Sequence, residues 1–278
     1  MIARAETDDA LMRCVEIRNA VDPQNPLTLA DVRDDAGAVL LLHDGGGYAL
    51  VKRSSMADTA FTMVRVMPES RRNGVGSALL DAATEAAREL GVEAMWGRVR
   101  AGDDESLRFL LGRGFAEVGR DVSLVRELAA DEGPLPPAIV ELAADERPQA
   151  YAVYVEGVED MPLWRPTTAM TFDEWTAEEC VVTLVAHVGD AVVGYAELRP
   201  LHAQPHRLEH GMTAVLRSHR RCGIASALKR ATIAWAAQHG YSELVTYTQE
   251  RNDGMRAVNL AHGYVEVPCS VELSRALG

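Results

Sequence analysis

The chain has 278 residues, 47 % apolar and 25 % charged, the balance of an ordinary soluble globular protein with room for two domains of about 130–140 residues. Its 41 acids against 28 bases give a net charge of −13, a field that repels phosphate backbones and favours a cationic small molecule over nucleic acid. No apolar run is long enough for a membrane span, and the opening MIARAETDD carries no secretory pattern, so no membrane partner and a cytoplasmic location are expected.

Taken in chain order, Asp8–Ala20 reads as a helix, followed by strands at Val39–Leu42, Tyr48–Val51 and Thr62–Val66. Asp44-Gly45-Gly46-Gly47 forms a hairpin turn between the first two; with no Lys-Ser/Thr after it, it is not a nucleotide loop. Val75, Ala78, Leu79, Ala82, Ala86 and Leu90 keep helical spacing up to Gly91. A strand near Ala94–Val99, a helix near Glu105–Leu111 and a strand near Glu117–Val125 complete the first half. The stretch 128–137, LAADEGPLPP, disfavours helix and central strand alike and reads as a linker.

The second half repeats this order. Strands are expected at Cys180–Ala186, Val192–Leu198 and Met212–Leu216, then a helix bearing Ile224, Ala227, Leu228, Ala231 and Trp235 that stops at Gly240. Leu244–Thr248 is a strand, Met255–Ala261 a helix and Val265–Val271 a strand. An insertion, Tyr151–Trp175, distinguishes the front of this half.

The two halves share more than order. Arg71–Leu80 reads RRNGVGSALL and Arg220–Lys229 reads RRCGIASALK, identical at six of ten positions with an offset of 220 − 71 = 149. The same offset pairs Gly91 with Gly240, and Gly114-Phe115-Ala116-Glu117-Val118 with Gly263-Tyr264-Val265-Glu266-Val267. One ungapped offset over three landmarks argues a duplicated domain, with boundaries expected at 1–128, linker 129–137, and 138–278.

In each half R-x-x-G-x-G/A follows the third strand and runs straight into a helix. Glycines there keep side chains away while helix-start amides offer unpaired donors at a positive dipole end, a cradle for a diphosphate that the preceding arginine can also reach. Cys14, Cys180, Cys222 and Cys269 make no C-x-x-C pair. His202, His206 and His210 lie four apart, but Pro200 and Pro205 break any helix through them, so no metal is expected.

On these residues the chain resembles a tandem member of the GNAT superfamily of acyl-CoA-dependent acyltransferases. Arg71–Gly76 and Arg220–Ala225 match its Q/R-x-x-G-x-G/A signature, and Gly114-Phe115 and Gly263-Tyr264 match its G-F/Y. The two-domain arrangement is similar to mycothiol-synthase-like actinobacterial enzymes. The resemblance implies two fused α/β (α+β) domains, each a mixed, mostly antiparallel twisted sheet flanked by helices. It implies acetyl-CoA as cosubstrate, with its diphosphate on the amides of Arg221, Cys222, Gly223, Ile224 and Ala225, and Arg220 and Ser226 also at the cofactor. The pantetheine arm is then expected beside Thr213 and Val215, where two strands splay, with Asn252 touching the cofactor. Arg71, Arg72, Asn73, Gly74, Val75 and Gly76 form the equivalent loop of the first half, where Asp103 replaces Asn252.

The resemblance also places a general base eleven residues before the signature, at Glu209 in the second half and at Ala60 in the first (220 − 11 and 71 − 11). A solvated acid beside His206 and His210 is the alternative for Glu209. The family's usual tyrosine acid is replaced by Asn259, which can polarise but not protonate, and by Leu110. Acetyl transfer is therefore expected in the second half, by direct attack of a small primary amine, in a monomer or homodimer. Glu156, Asp160 and Trp164 are candidates for the acceptor, Glu159 and Trp175 lying nearby; solvated acids and buried tryptophans are the alternative. A non-catalytic acyl-CoA-binding protein and a protein or peptide N-acetyltransferase are the competing functions.

Overall fold

Alternating apolar positions and turn glycines give the strands, and the i, i+3, i+4 stripes give the helices that cover them. The computed structural model describes residues 1–23, 26–33 and 37–278, without the side chains of residues 268 and 269, so that of Cys269 lies outside the described residues. Two compact units emerge: residues 1–118 with 271–278, and residues 119–270.

The first unit contains β1 (Ile2–Arg4), α1 (Asp8–Val21), α2 (Leu29–Arg33), β2 (Val39–His43), β3 (Gly47–Arg53), β4 (Thr59–Val66), α3 (Val75–Glu89), β5 (Ala94–Arg100) and α4 (Asp104–Leu111). Strands β1 to β4 are antiparallel neighbours in chain order, and β4 pairs with β5 in parallel. Thr7 caps α1 by accepting from the Ala10 N–H at 3.3 Å. Helix α3 buries Val75, Leu79, Leu80 and Ala83 on one sheet face, while Cys14 and Ile17 of α1 pack with Tyr48 and Leu50 on the other. A Cβ on Gly97 of β5 would overlap the carbonyl oxygen of Thr62 in β4. Gly97→Ala is thus expected to cost about 1–3 kcal/mol through forced separation of the two strands, measurable by urea denaturation.

The second unit contains most of β6 (Ala116–Glu127), then β7 (Ile139–Glu141), α5 (Arg147–Glu159), α6 (Phe172–Ala177), β8 (Val182–Val188), β9 (Ala191–Pro200), β10 (Arg207–Val215), α7 (Ile224–Gln238), β11 (Glu243–Gln249), α8 (Asp253–Ala261) and the start of β12 (Val265–Ala276). From β6 onward its strands run in the order β6-β11-β10-β9-β8-β7, and among these described pairs β10 and β11 are parallel and the others antiparallel. Leu228, Ala231 and Trp235 of α7 cover one face; Val153 and Tyr154 of α5 with Trp175 of α6 cover the other. The insertion Tyr151–Trp175 is therefore two helical pieces, the second opened by a capping box between Thr171 and Glu174.

The units divide the chain differently from the expected break at 129–137. Strand β6 belongs to the second unit, pairing with β11 from Glu127↔Glu243 to Gln249↔Asp121. Residues 271–278 belong to the first, where Ser274 Oγ donates to the Met95 carbonyl at 3.1 Å and the Leu277 N–H to Glu93 at 2.8 Å. The final strands of the two halves follow near-identical Gly-Phe/Tyr-x-Glu-Val openings, so their local patterns suit either edge and do not choose between them.

A candidate cofactor loop and transfer site

Chain leaving β10 makes a tight turn at Arg217–His219 and reaches α7 through the signature loop. Arg221 and Gly223 adopt left-handed φ values of 61° and 80°. Gly223 is the N-cap of α7 and brings no side-chain acceptor, so the first-turn amides stay at a positive helix end without a side-chain cap. In the first unit Arg72 and Gly74 have φ 63° and 82°, and Gly74 caps α3 in the same bare way. A left-handed non-glycine residue is costly, and its presence twice at one loop position marks a conformation the sequence enforces.

The signature arginines fasten the loop. Arg220 Nε donates to the Val215 carbonyl at 2.9 Å and Arg71 Nε to Val66 at 3.3 Å. Arg220 Nη2 also meets Asp160 at 2.6 Å. Asp160 pairs with Arg217 at 2.7 Å, Glu159 with Arg217 at 3.1 Å, and Glu156 accepts from the Arg217 backbone N–H. Hydrogen bonding from Arg217 holds the Asp160 carboxyl below the usual carboxylate range. Glu156 and Asp160, expected at the acceptor, tie α5 to the signature loop and the turn before it. Trp164 is not among these partners; Arg165 lies over its ring at 5.5 Å. Asn252 caps α8, accepting from the Met255 N–H at 3.3 Å, as Asp103 caps α4 by accepting from Ser106 at 3.0 Å. Cys222 is exposed on the loop, and Ser226 Oγ lies 2.7 Å from His262 Nε2.

Beyond the loop, β10 and β11 pair only at Arg207↔Glu243, Leu208↔Leu244 and Glu209↔Val245. Further along, β10 bulges away from regular register with β9 between His210 and Thr213. Strand β4 of the first unit keeps unbroken register with β3 from Gly47↔Val66 to Arg53↔Ala60. The bulge adds a residue and shifts the repeat upstream of it. Glu209 opposes Val245, and 245 − 149 = 96; Trp96 opposes Phe61. The counterpart of Glu209 is therefore Phe61 rather than Ala60, because the offset of 149 holds only after the bulge.

Glu209 lies opposite Arg199 of β9 in the ladder. Arg199 meets Glu197 at 2.8 Å and Glu178 at 2.9 Å. Burial works against its charge, but Glu197, Glu178 and the field of Glu209 outweigh it and hold the guanidinium above its usual range. Glu197, 2 % exposed, accepts from the Met212 N–H within the bulge at 3.2 Å, and a Cβ on Gly211 would come within 2.8 Å of its carboxylate. Glu197 thus braces the bulge beside Glu209. Its signal in the sequence is an acid within the otherwise apolar run AVVGYAEL.

Asn259 of α8 is fully buried, and neither its Nδ2 nor its Oδ1 has a hydrogen-bond partner. A buried amide with both ends unmet among the described residues is costly and calls for a partner from outside them. Its first-unit counterpart is Leu110. His202 pairs with Glu179 at 2.9 Å, and among the described residues no cluster of three metal-ligating side chains occurs.

The sequence profile of the Acetyltransferase (GNAT) family matches residues 13–115 and again 138–264. No curated protein matches the chain. Among solved structures it is similar to a GCN5-related N-acetyltransferase from Sphaerobacter thermophilus, with TM-score 0.78 and 18 % identity over 100 % of this chain and 95 % of that one. A tandem GNAT protein from the clavulanic acid biosynthesis pathway gives TM-score 0.73 and 18 % identity, covering 100 % and 98 %. A GCN5-related N-acetyltransferase from Kribbella flavida gives 0.56 and 16 %, covering 100 % and 72 %. At these identities the likeness is one of fold.

Proposed function

The chain belongs to the acetyltransferase (GNAT) family in both halves, and on that premise we propose that its second unit transfers an acetyl group from acetyl-CoA to a primary amine of a small molecule. The observation that carries this is the asymmetry of the repeat. Both units keep the bare, left-handed loop, but only the second has a bulged β10, a carboxylate at Glu209 and a buried unmet amide at Asn259. The first unit has straight β4, Phe61 and Leu110 in those places and is assigned no transfer step.

The roles follow from the chemistry of each group. Amides from Arg221 through Ser226 hold the diphosphate, with Arg220 bracing the loop. Thr213 and Val215 present strand backbone to the pantetheine arm, and Asn259 offers its amide to the thioester end. Glu209 takes the proton from the ammonium so that nitrogen attacks directly. A covalent acyl-cysteine route is poorly served by Cys180, whose thiol burial, reinforced by Glu197, pushes up to about 12. Glu178, Glu197 and Glu209 all act on Arg199, an acidic setting that suits a cationic acceptor.

Glu209→Gln is expected to lower kcat at neutral pH about 10²- to 10⁴-fold for a protonated amine while leaving the acetyl-CoA dissociation constant unchanged. Thiol release across an amine panel, with calorimetry on the same variant, reads both. Unchanged turnover removes Glu209 from the mechanism. Tight binding with no thiol release from the wild type supports a non-catalytic acyl-CoA-binding protein instead.

A further inference from the structure

Asn259 holds no titrating proton, yet a departing thiolate must receive one. Directly under the β10 bulge lies a polar cluster that the roles above leave unused. His210 and Lys229 are each 1 % exposed. Lys229 Nζ lies 3.0 Å from His210 Nδ1 and 3.2 Å from Nε2, and His210 Nε2 lies 2.9 Å from Thr213 Oγ1. Tyr264 and Thr232 close the cluster, their hydroxyls 3.3 and 3.4 Å from Nδ1. The other charged and titratable groups bearing on this region are His262, Arg126 and Arg230. Among the described residues no carboxylate pairs with Lys229; its amine meets only the neutral His210 ring and, at 5.1 Å, the Tyr264 ring, and burial disfavours its charged form.

The fold does not require this polarity. In the first unit the offset of 149 places Leu80 at Lys229, Ala83 at Thr232, Phe115 at Tyr264 and Val64 at Thr213. Leu80, Ala83 and Phe115 are buried in an ordinary apolar core. The polar set occurs in the unit whose strand is bulged. It leads from the interior to Thr213, which is only partly buried and lies past the last β10–β11 pair.

We propose that Lys229, His210 and Thr213 form a proton-delivery chain that returns a proton to the CoA sulfur as it leaves. The proposal rests on the reading of β10 as the strand beside the acetyl donor. As the C–N bond forms and the C–S bond breaks, the electron pair remains on sulfur. Thr213 Oγ1 gives sulfur its proton and takes one from His210 Nε2, while His210 Nδ1 takes one from the Lys229 ammonium. The proton shed by the acceptor nitrogen passes to Glu209 and solvent, and solvent restores Lys229 through Thr213. Lys229 and His210 act through Thr213 and do not touch the substrate. Burial lowers the Lys229 pKa well below its ordinary value, which brings its ammonium closer in acidity to a thiol.

The test uses the full chain with acetyl-CoA and hydroxylamine, a nucleophile neutral at pH 7, reading free thiol across a pH series, with calorimetry of acetyl-CoA binding alongside. The wild type is expected to lose kcat on the alkaline side, and Lys229→Met to lower kcat about tenfold or more and abolish that alkaline fall, with acetyl-CoA binding unchanged. Thr213→Val, which severs the outer end without touching the buried pair, is expected to do the same should Lys229→Met fold poorly. Wild-type rates and an intact alkaline limb in both variants overturn the chain while leaving the acetyltransferase reading in place. Failure of the wild type to bind acetyl-CoA overturns that reading instead, and this proposal with it.

Discussion

Replacing Ala225 with proline is expected to weaken acetyl-CoA binding about 10- to 100-fold with little loss of fold stability. Ala225 lies in the first turn of α7, where an amide has no intrahelical acceptor and proline is tolerated. The substitution deletes one of the N–H groups proposed to hold the diphosphate and leaves the helix otherwise intact. A hydrogen bond to a charged group is worth about 1.5–3 kcal/mol, which sets the expected range. Calorimetric titration of the variant against wild type, with thermal melts of both, separates affinity from folding. Gly76→Pro, the same deletion in the first unit, reports how much of the total uptake belongs to the other loop. If Ala225→Pro binds like wild type, the α7 amides do not hold the diphosphate.

The second large effect concerns pH. Burial, with Lys229 alongside, depresses the pKa of His210, and burial depresses that of Lys229. Between its lowered folded pKa and about pH 10.4 an unfolded lysine keeps a proton that the folded Lys229 has given up, so the unfolded state holds more protons and stability rises with pH there. The gain is at most about 1.4 kcal/mol per pH unit for one proton and ends near the unfolded lysine value. His210 adds the same sign of effect below about pH 6.5. Urea denaturation of the wild type is thus expected to show the second unit gaining stability between neutral pH and pH 10. Lys229→Met removes the buried amine, so it is expected to be more stable than wild type at pH 7 and to lose this rise. A wild-type profile that is flat over the window shows that the folded Lys229 keeps an ordinary proton affinity.

Much of the architecture was legible without coordinates because helices and strands announce themselves over short spans. Val75, Leu79 and Ala86 on α3, and Leu228, Ala231 and Trp235 on α7, fall on the buried face their spacing indicates. The front of the second half was harder. Helix α5 buries Ala150, Val153, Tyr154 and Val158, but its stripe is interrupted by acids that turn out to fasten the loop. The Thr171–Glu174 capping box is a local signal that opens α6.

Sequence by itself determined that the chain is a repeat, that each copy runs from a strand through a glycine loop into a helix, and that the copies differ at Asn259 and Glu209. These are local properties, carried by residues adjacent in the chain. Only the tertiary structure decided that Phe61 is the counterpart of Glu209, that Asp160 serves Arg217 and Arg220, that the end strands change places, and that Lys229 is buried against His210. A one-residue bulge is defined by pairing across strands, an ion pair by side chains some sixty residues apart, and a buried amine by what closes over it. None of these leaves a periodic mark on the chain, because the free energy that fixes each comes from contacts between segments rather than within them.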